Sequence, residues 1–527
     1  MRNSKFLSVY NRVVTTLLLI LVVISNGTAQ VFSILQNEEK IPENYMIDQY
    51  HIDLPKSNQI IQQDGLPFQF AIPVQPDRAI KLPAHEGKLE GSYHYLIEVS
   101  AGDAVAINFT MKGLVKASVD RVFVQSLNSK SVFGPFEPVE NKYDLTPFPV
   151  FKSDKLLLEI IADKPLEMDE LKLHRLGITY DEQLLLGSGE CNVDINCDEG
   201  IPWQTVKNAV VRIMYNNGWL CSGTLINNTR NDSTPYFLTA NHCIDNSYSA
   251  ANMVFYFKYE SLICDGPADE YPDLNQYTMA GAELKATKFD ENGKLDFTLL
   301  ELLKQIPNDY EPYFVGWNAS TNPPANTTGI HHPKGDVKKI CMDLDPPISG
   351  SFSPYDYGSF WHIQRWDVGV TEGGSSGSGL FNSDFQLIGT LTGGEADCDN
   401  PVNDFYQKFS VAYDKYSDST EQLKYWLNPN NEDYTFWYGW PEEEVSMEKD
   451  YKIGPNPVEG SLTIYSPTLE GTTNVKIWSL SGKMLWEKSY HDVSRVLLVH
   501  VPARFKGLHV LEIETNDETF KKKMILY

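Results

Sequence analysis

The seven cysteines of this chain are confined to one part of it, and their placement constrains the fold more than any other feature. All of them lie between Cys191 and Cys398, and the flanking segments contain none. A chain of 527 residues is too long for one ordinary domain. We therefore expect at least three regions, with disulfides in the middle one, as is usual for exported proteins.

The first 29 residues have the layout of a secretory signal peptide. Basic residues in positions 1–12 precede the apolar run Val13–Ile24, and small residues lie before a cut after Ala29. A helix needs roughly 20 apolar residues to span a bilayer, and this run is shorter. We predict an exported protein with no stable membrane span, and an uncleaved anchor is the alternative.

The composition is that of a folded protein. Hydrophobic residues make up 42% of the chain and charged residues 22%. The formal net charge of −26 argues against nucleic acid as a partner, because phosphate binding requires a basic surface. This charge would weakly favour basic substrates, and simple solubility explains it equally well.

Short apolar and β-branched runs between turn residues predict a mainly β protein. Residues 30–186 are predicted to form a β-sandwich and residues 187–440 an all-β barrel or sandwich. An acidic linker at 441–450 leads to a second small β-sandwich at 451–527. Ser419–Leu427 is predicted to be a closing helix. The predicted strands are Tyr93–Val99, Ala104–Met111, Val119–Gln125, Lys155–Ile161, Val210–Tyr215, Thr224–Ile226, Tyr236–Thr239, Met253–Tyr259, Phe297–Leu302, Leu387–Thr392, Leu462–Tyr465, Val475–Ser479, Val496–Val501 and Leu508–Glu514.

The first β region lies between the signal peptide and the first cysteine. Exported proteins that are activated by cleavage carry a pro-region at this place, and we therefore interpret residues 30–186 as a pro-region. An independent β domain that stays attached to the mature protein is the alternative.

Ser376 is the candidate nucleophile for acyl transfer. It lies in a run of glycines and serines, Gly373–Gly379, between two strand-like segments. A serine in a tight, glycine-flanked turn presents its hydroxyl, because glycine tolerates the backbone angles involved. The backbone N–H groups of Gly374 and Ser376 can then point at one spot and form an oxyanion hole. A flexible surface loop is the alternative for such a run.

His242 and Asp296 are the candidate base and orienting carboxylate. His242 ends an apolar strand and is followed by Cys243, which a disulfide to Cys221 on the preceding strand would fix. Asp296 begins an apolar strand, where burial is costly unless the carboxylate accepts hydrogen bonds, as it would from the His242 ring. A strand-capping aspartate is the alternative. The order His, Asp, Ser is one of the known orders of a catalytic triad.

The region from Gly187 to about Pro429 resembles the lysyl endopeptidase family, a bacterial branch of the chymotrypsin-like serine proteases. The resemblance implies a chymotrypsin-like double β-barrel and a serine endopeptidase that cleaves on the C-terminal side of Lys. The matching stretches are CNVDINC (191–197), CSGTLINN (221–228), YFLTANHC (236–243), DFTLLEL (296–302), IHHP (330–333), VTEGGSSGS (370–378) and Gly389–Cys398.

The same resemblance implies three disulfides and leaves one cysteine over. The implied pairs are Cys221–Cys243, Cys191–Cys398 and Cys197–Cys264. The unpaired residue is Cys341, for which we weigh a free buried thiol against a bond between chains.

Lysine preference in this family comes from an aspartate at the base of the primary specificity pocket. The matching position is Asp404, with Asp397 and Asp399 as alternatives because the alignment is gapped. A loop carboxylate on the surface is the structural alternative for Asp404. A buried carboxylate would favour a substrate Lys or Arg and would be left unpaired by an apolar side chain. The segment Thr392, Gly393 and Gly394 is predicted to pair with the substrate backbone as a strand.

The sequence departs from the family pattern at three places. Thr392 stands where lysine-specific members carry a histidine, which opens the question of Lys over Arg selectivity. Ser375, rather than an acid, precedes the nucleophile, so activation by an ion pair from a freed N-terminus is not expected. No Lys directly precedes Gly187, so self-cleavage there does not follow from lysine specificity.

The last region resembles a type IX secretion C-terminal sorting domain. The resemblance rests on YKIGPNP (451–457), Val475–Gly482, Gly507–Val510 and the basic, apolar C-terminus. It implies export by the type IX machinery of a Gram-negative bacterium, to the medium or the cell surface. A small adhesive β-sandwich is the alternative.

No cofactor or metal is predicted. The chain lacks an HExxH helix, a metal-spaced Cys/His set and a phosphate loop, and the adjacent His331 and His332 have no partner at useful spacing. The expected partners are protein or peptide substrates with basic residues. Two further hypotheses remain open: a protease with Arg or mixed basic preference, and a non-catalytic adhesin on a protease scaffold.

Overall fold

The computed structural model describes most of the chain from residue 91 onward and shorter segments before it. The described residues are 33, 35, 47–52, 60, 67–76, 78–80, 91–166, 171–185, 187–266, 276–441, 452–454, 461–479, 483–502, 504–515 and 519–526. The predicted signal peptide and nearly all of the predicted linker lie outside these residues. Among them, no helix has both the length and the apolar character to cross a membrane.

The N-terminal region is a β-sandwich, as predicted. One sheet has the order β1-β5-β10-β7-β8, and the other has the order β3-β11-β6-β9, with β4 beside β11. An apolar core that includes Phe109, Phe148 and Phe151 fills the space between the sheets. The strands are β1 (Ile47–Ile52), β2 (Phe68–Gln69), β3 (Ile72–Val74), β4 (Arg78–Ala79), β5 (Tyr93–Ala101), β6 (Ala106–Lys112), β7 (Val119–Ser126), β8 (Val132–Phe136), β9 (Leu145–Pro147), β10 (Lys155–Ala162) and β11 (Lys172–Thr179).

The middle region consists of two curled sheets. The first has the order β17-β16-β13-β14-β15-β19-β18, and the second has the order β12-β22-β21-β25-β26-β27-β24-β23, with β20 and β28 at its side. Its strands are β12 (Val193–Asp194), β13 (Val210–Tyr215), β14 (Trp219–Leu225), β15 (Tyr236–Thr239), β16 (Met253–Tyr256), β17 (Thr278–Ala280), β18 (Ala282–Asp290), β19 (Gly293–Leu302), β20 (Trp317–Asn318), β21 (Thr327–His331), β22 (Lys339–Asp343), β23 (Ile348–Gly350), β24 (Phe360–Arg365), β25 (Gly379–Phe381), β26 (Leu387–Gly394), β27 (Val402–Lys408) and β28 (Phe436–Trp437).

One apolar core joins the two sheets of the middle region. Phe237 and Phe255 of the first sheet belong to the same buried cluster as Phe381 and Leu387 of the second. β13 and β15 are buried along their length, and β19 and the first six residues of β26 are largely buried, because these strands face this core or a covering element on both sides.

The helices of the middle region are short. They are α1 (Ser247–Ala251), α2 (Phe409–Asp414) and α3 (Lys424–Leu427), with 3₁₀ turns at Asp198–Trp203, Val206–Ala209, Asn308–Tyr310 and Pro333–Gly335 and an earlier one at Glu182–Leu185. The helix predicted from Ser419 therefore begins five residues later. The Asp418 side chain accepts hydrogen bonds from the backbone and hydroxyl of Thr420 and holds a turn there.

The C-terminal region is also built of strands. They are β29 (Lys452–Gly454), β30 (Ser461–Trp478), β31 (Met484–His500), β32 (Gly507–Glu514) and β33 (Thr519–Leu526). Pairing joins them in the order β29-β30-β32-β33, with β31 also on β30. Apolar residues from both halves of the long β30, including Leu462 and Val475, share one core.

The N-terminal region contacts the first sheet of the middle region. Strand β2 pairs antiparallel with β14, where Phe68 lies opposite Leu220 and Gln69 opposite Trp219. Phe68 and Leu220 belong to an apolar cluster that covers Met214 on β13. Polar contacts extend this surface: Asn217 Nδ2 donates to Asn108 Oδ1 at 2.9 Å, Thr110 Oγ1 to Asn252 Oδ1 at 2.6 Å, and the Val150 N–H to the Tyr256 hydroxyl at 3.0 Å.

Candidate active site

The three predicted catalytic side chains lie where the two sheets of the middle region meet. His242 follows β15, Asp296 is on β19, and Ser376 is in the loop before β25. The backbone N–H of Asp296 donates to Gln407 Oε1 on β27 at 3.0 Å, which joins the two sheets at this point.

His242 and Asp296 are directly bonded. The Asp296 carboxylate accepts from the His242 ring at Nδ1, 2.8 Å away, and from the His242 backbone N–H at 2.9 Å. Asp296 is fully buried. Burial alone would raise the pKa of this carboxyl group, but the charge and hydrogen bonds of His242 outweigh burial, and the pKa is lowered. The nearby Thr392 hydroxyl adds to this effect, although it makes no hydrogen bond of ordinary geometry with any residue that the structure describes.

The backbone beside His242 is fixed by a disulfide. Cys243 is bonded to Cys221 on β14, and the other two implied pairs, Cys191–Cys398 and Cys197–Cys264, are also formed. All three predicted pairs are thus confirmed. Cys341 is a free thiol and is buried.

The loop that carries Ser376 is held by two glycines in the left-handed region. Gly374 has φ +92° and Gly377 has φ +80°, values that residues with a side chain rarely adopt. A Cβ on Gly377 would lie 2.1 Å from Thr239 Oγ1 and 2.9 Å from the Ala240 nitrogen. The loop therefore packs against the segment that leads to His242.

Ser376 lies between two strands. The Ser376 carbonyl accepts from the Ser222 N–H on β14 at 2.8 Å, and the Gly377 N–H donates to the Leu391 carbonyl on β26 at 2.7 Å. The Ser376 hydroxyl makes no hydrogen bond to the His242 ring in the described structure. Hydrogen bonds between a catalytic serine and its histidine are often long in an enzyme without substrate.

The two predicted oxyanion donors have no acceptor among the described residues. The N–H groups of Gly374 and Ser376 make no hydrogen bond there, whereas the neighbouring Ser375 and Gly377 N–H groups are both bonded. Two free donors beside a serine hydroxyl form the arrangement that binds a developing oxyanion.

Asp404 is buried in the second sheet, on β27. Its Oδ2 accepts from Trp366 Nε1 at 2.7 Å and from Thr371 Oγ1 at 2.6 Å. Burial raises the pKa of Asp404 to about 6, although these hydrogen bonds act in the opposite direction. A Cβ on Gly394 would lie 2.4 Å from Asp404 Oδ1. The second carboxylate oxygen therefore faces the strand predicted to bind substrate.

The predicted substrate strand is the end of β26. Thr392 is buried, while Gly393 and Gly394 are increasingly exposed. Gly394 pairs with Asp404 across a bulge in the ladder. The two alternative acids, Asp397 and Asp399, are exposed, and Asp397 Oδ1 accepts from the Asp399 and Asn400 N–H groups in a surface turn. Of the three carboxylates, only Asp404 has the burial that the pocket prediction requires.

Sequence reasoning did not identify several neighbours of these residues. Trp366 and Thr371 bind Asp404, and Tyr355 faces Asp296. Burial, and then the charge of Asp296, raises the pKa of the Tyr355 hydroxyl. Trp366 and Tyr355 lie in no motif, and Thr371 lies in the VTEGGSSGS stretch (370–378), which does not indicate its bond to Asp404. His331 and His332 were considered as a metal pair, but their rings have different partners: Ser375 Oγ at 2.7 Å and the Asp336 carbonyl at 3.0 Å.

The fold and the site together define the class of protein. Two curled β-sheets with a histidine, an aspartate and a serine where they meet are the architecture of the chymotrypsin-like serine proteases.

Within that class the chain resembles one family. Residues 186–409 match the family model "Lysyl endopeptidase, C-terminal domain". Lysyl endopeptidase of Pseudomonas aeruginosa is 29% identical over 296 residues, which cover 51% of this chain and 62% of the relative, less than two thirds of its length. The resemblance that the motifs indicated is thereby confirmed.

Solved structures give a weaker likeness. A Glu endopeptidase is 18% identical with a TM-score of 0.26, over 42% of this chain and 93% of the other. The active form of the Rv3671c protease from M. tuberculosis is 18% identical with a TM-score of 0.25, over 42% of this chain and 85% of the other.

The C-terminal region has a match of its own. Residues 452–527 match the family model "Secretion system C-terminal sorting domain". This match confirms the second resemblance and indicates a protein that is exported to the cell surface or the medium.

Proposed function

We propose that this protein is a serine endopeptidase with His242, Asp296 and Ser376 as its catalytic triad. The observation that carries the proposal is the bonded His242–Asp296 pair beside a serine loop with two free N–H donors. A purely structural site would not need a buried carboxylate aimed at a histidine and a nearby pair of unsatisfied donors.

Each residue has one role in the reaction. Ser376 Oγ attacks the scissile carbonyl while His242 Nε2 takes the hydroxyl proton, and His242 then returns this proton to the leaving amine. Asp296 accepts from Nδ1–H, which fixes the ring tautomer and stabilises the imidazolium. The Gly374 and Ser376 N–H groups stabilise the oxyanion, and water hydrolyses the acyl-enzyme by the same steps.

Cleavage on the C-terminal side of Lys is proposed from the Asp404 contacts. Trp366 and Thr371 both bind Oδ2, while Oδ1 lies towards Gly394 on the predicted substrate strand; the Ala396 N–H also acts on this carboxylate. The proposed binding point of the substrate cation is Oδ1. An apolar side chain would leave this carboxylate unpaired, which is costly. Because Thr392 is small, the alternative of Arg or mixed basic specificity stays open.

The domain roles are part of the same proposal. Residues 1–29 would be the signal peptide, 30–186 the pro-region, 187–440 the protease domain, 441–450 the linker and 451–527 the sorting domain that the type IX machinery recognises. The pro-region role is supported by β2, which covers the β14 edge two residues from Ser222, the neighbour of Ser376.

A fluorophosphonate probe tests the triad. The processed protein should bind the probe one-to-one at Ser376, and Ser376→Ala should remove both labelling and peptidase activity. Ser378→Ala, in the same loop, is the matched control and should still be labelled. A protein that does not react, although it is folded, would favour the non-catalytic adhesin.

A further inference from the structure

A buried serine–histidine contact lies beneath the nucleophile loop and is not part of the proposed triad. Ser375 and His331 are both fully buried, and Ser375 Oγ lies 2.7 Å from His331 Nδ1. His331 is the last residue of β21, so the contact ties the loop to the second sheet.

The hydrogen bonds assign the proton in this contact. Ser375 Oγ accepts from the Glu372 N–H at 3.1 Å, so the hydroxyl proton needs another acceptor. His331 Nδ1 is the one acceptor near it in the described part of the chain. Burial, and then the charge of Lys339, lowers the pKa of His331 to about 3. The ring is therefore neutral at ordinary pH. We assign its proton to Nε2, so that Ser375 donates to Nδ1; the buried Nε2–H then has no acceptor among the described residues.

The contact fixes the peptide units that carry the oxyanion donors. The Ser376 N–H belongs to the peptide unit that begins with the Ser375 carbonyl, which accepts from the Ser378 N–H at 3.0 Å. The Gly374 N–H belongs to the peptide unit that begins with the Gly373 carbonyl, which accepts from the Lys334 N–H at 2.5 Å. In the unit between them, the Gly374 carbonyl accepts from Ser222 Oγ at 2.9 Å and the Ser375 N–H donates to the Glu372 carbonyl at 3.0 Å. Gly374 has no side chain, so Ser375 provides the side-chain anchor between Gly373 and Ser376. Its hydroxyl is buried and bonded to His331 beneath the loop.

We propose that His331 and Ser375 are positioning residues that hold the oxyanion hole open. The pair would take the place of an ion pair between an acid before the nucleophile and a freed N-terminus, since this chain has no acid at that position. All its partners are present in the uncleaved chain, so the loop has its shape before any processing. The inference rests on the proposed function, because it acts on the same serine.

Four variants of the processed enzyme test the pair: Ser375→Ala, His331→Ala, both together, and His331→Asn, whose side-chain oxygen can replace Nδ1 as the acceptor. The readouts are kcat and KM on a lysine amide, and the affinity for a peptide aldehyde, which forms an oxyanion in the site. Ser410→Ala on α2 removes a buried serine hydroxyl elsewhere and serves as the matched control.

We expect the variants to lose stabilisation of the transition state and to keep their affinity for the substrate. Each alanine variant should lower kcat between about tenfold and about a hundredfold, less than the roughly 10²- to 10³-fold loss of a whole oxyanion donor. KM should change little, aldehyde affinity should fall in step with kcat, and the double variant should be no worse than the worse single. His331→Asn should recover most of the loss.

Two results would overturn the inference. One is a Ser375→Ala enzyme with kcat and aldehyde affinity within about twofold of the parent, whatever its thermal stability. The other is a double variant whose losses multiply, since independent residues behave in that way. If His331→Ala does not fold, kcat and aldehyde affinity of Ser375→Ala alone test the inference. Activity that survives Ser376→Ala would instead refute the proposed triad, so the two failures are distinguishable.

Discussion

Two buried carboxylates in the middle region differ in their charge because their neighbours differ. Asp296 is bonded to His242, and its pKa is lowered. Asp404 is bonded to neutral donors, Trp366 and Thr371, and burial raises its pKa to about 6. A charge can be kept in the protein interior when an opposite charge faces it. The charge of His362 acts to lower the pKa of Asp404 but does not outweigh burial. We infer that Asp404 lacks a sufficient opposite charge until a basic substrate side chain supplies it.

The pH dependence of stability follows from the raised pKa of Asp404. The carboxyl group is protonated more readily in the folded than in the unfolded chain, so its contribution to stability is fully present below about pH 4. That contribution is lost as pH rises through about 6. The ionised group then costs roughly 3 kcal/mol, since one pKa unit corresponds to about 1.4 kcal/mol.

Asp404→Asn should therefore make the protein more stable and less selective. The amide oxygen can still accept from Trp366 and Thr371, so at pH 8 we expect the free energy of unfolding to rise by about 2 to 3 kcal/mol, a gain that vanishes near pH 4. Preference for Lys over an apolar residue should fall by roughly 10⁴-fold in kcat/KM. Denaturant unfolding at several pH values and rates on paired substrates measure both effects.

Asp397→Asn is the matched control for this substitution. Asp397 is exposed in the turn near Asp404 and was a competing candidate for the pocket base. This variant should leave stability and selectivity unchanged. Unaltered cleavage after Lys in Asp404→Asn would refute the pocket assignment.

The disulfides act at the scale of strands and loops. Cys221–Cys243 spans 22 residues and holds the backbone next to His242, while Cys197–Cys264 spans 67 residues. Loop-closure entropy predicts a stabilisation of about 3 kcal/mol for the first and about 4 for the second.

The disulfide that contributes more to stability should therefore be the one that contributes less to activity. Replacing Cys221 and Cys243 by Ala should cost less stability, yet lower kcat at least about tenfold, because small displacements of a catalytic group are costly. Replacing Cys197 and Cys264 should cost more stability and leave kcat within about twofold. Unfolding curves and initial rates check both, and equal kcat in the two variants would contradict this account.

Strand positions could be predicted from the sequence with more success than strand ends. Val210–Tyr215 and Tyr236–Thr239 begin and end as predicted, because apolar residues run between turn residues. Thr224–Ile226 and Phe297–Leu302 were predicted to begin too late, and the first was also predicted to end one residue after β14 does. The extra residues of β14 and β19 include polar side chains such as Ser222 and Asp296, which are buried through tertiary hydrogen bonds. A local pattern does not contain these bonds.

The candidate site shows the same limit. Motifs identified the residues that carry the proposed chemistry, because Gly-Ser and His-Cys neighbours are local features. The residues that hold them, Gln407, Thr371 and His331, are distant in sequence and were not assigned a role. Only the folded chain brings them together.

At the scale of the whole molecule, β2 covers one side of the candidate site. Ser376 lies between β14 and β26, and Asp404 and the substrate strand are on the β26 side. In the proposed reaction, the β14 side is thus the side of the leaving group. Phe68 of β2 lies 3.6 Å from the position of a Cβ on Gly373, directly before the oxyanion loop.

The full chain should therefore bind extended substrates poorly. In the uncleaved chain carrying Ser376→Ala, which cannot turn the peptide over, Phe68→Asp should displace β2, since a buried unpaired charge is strongly unfavourable. The affinity for a peptide that continues three residues beyond its Lys should then increase by about tenfold. Fluorescence anisotropy of the labelled peptide measures this affinity.

Glu137→Gln serves as the matched control for the β2 experiment. It removes the exposed ion pair with Lys304 elsewhere between the two regions, where the Glu137 and Lys304 charges lie 2.7 Å apart. Peptide affinity should not change. Equal affinity in the parent and in Phe68→Asp would show that β2 does not obstruct the site.

Digestion of a denatured protein rich in both Lys and Arg tests the central claim most directly, with every cleavage site read by mass spectrometry and Ser376→Ala digested in parallel. We predict cuts on the C-terminal side of Lys that are absent with Ser376→Ala, and cuts after Arg as well if Thr392 relaxes the selectivity. Cuts unrelated to basic residues would contradict the role of Asp404, and a folded, processed enzyme that makes no cuts would contradict the account as a whole.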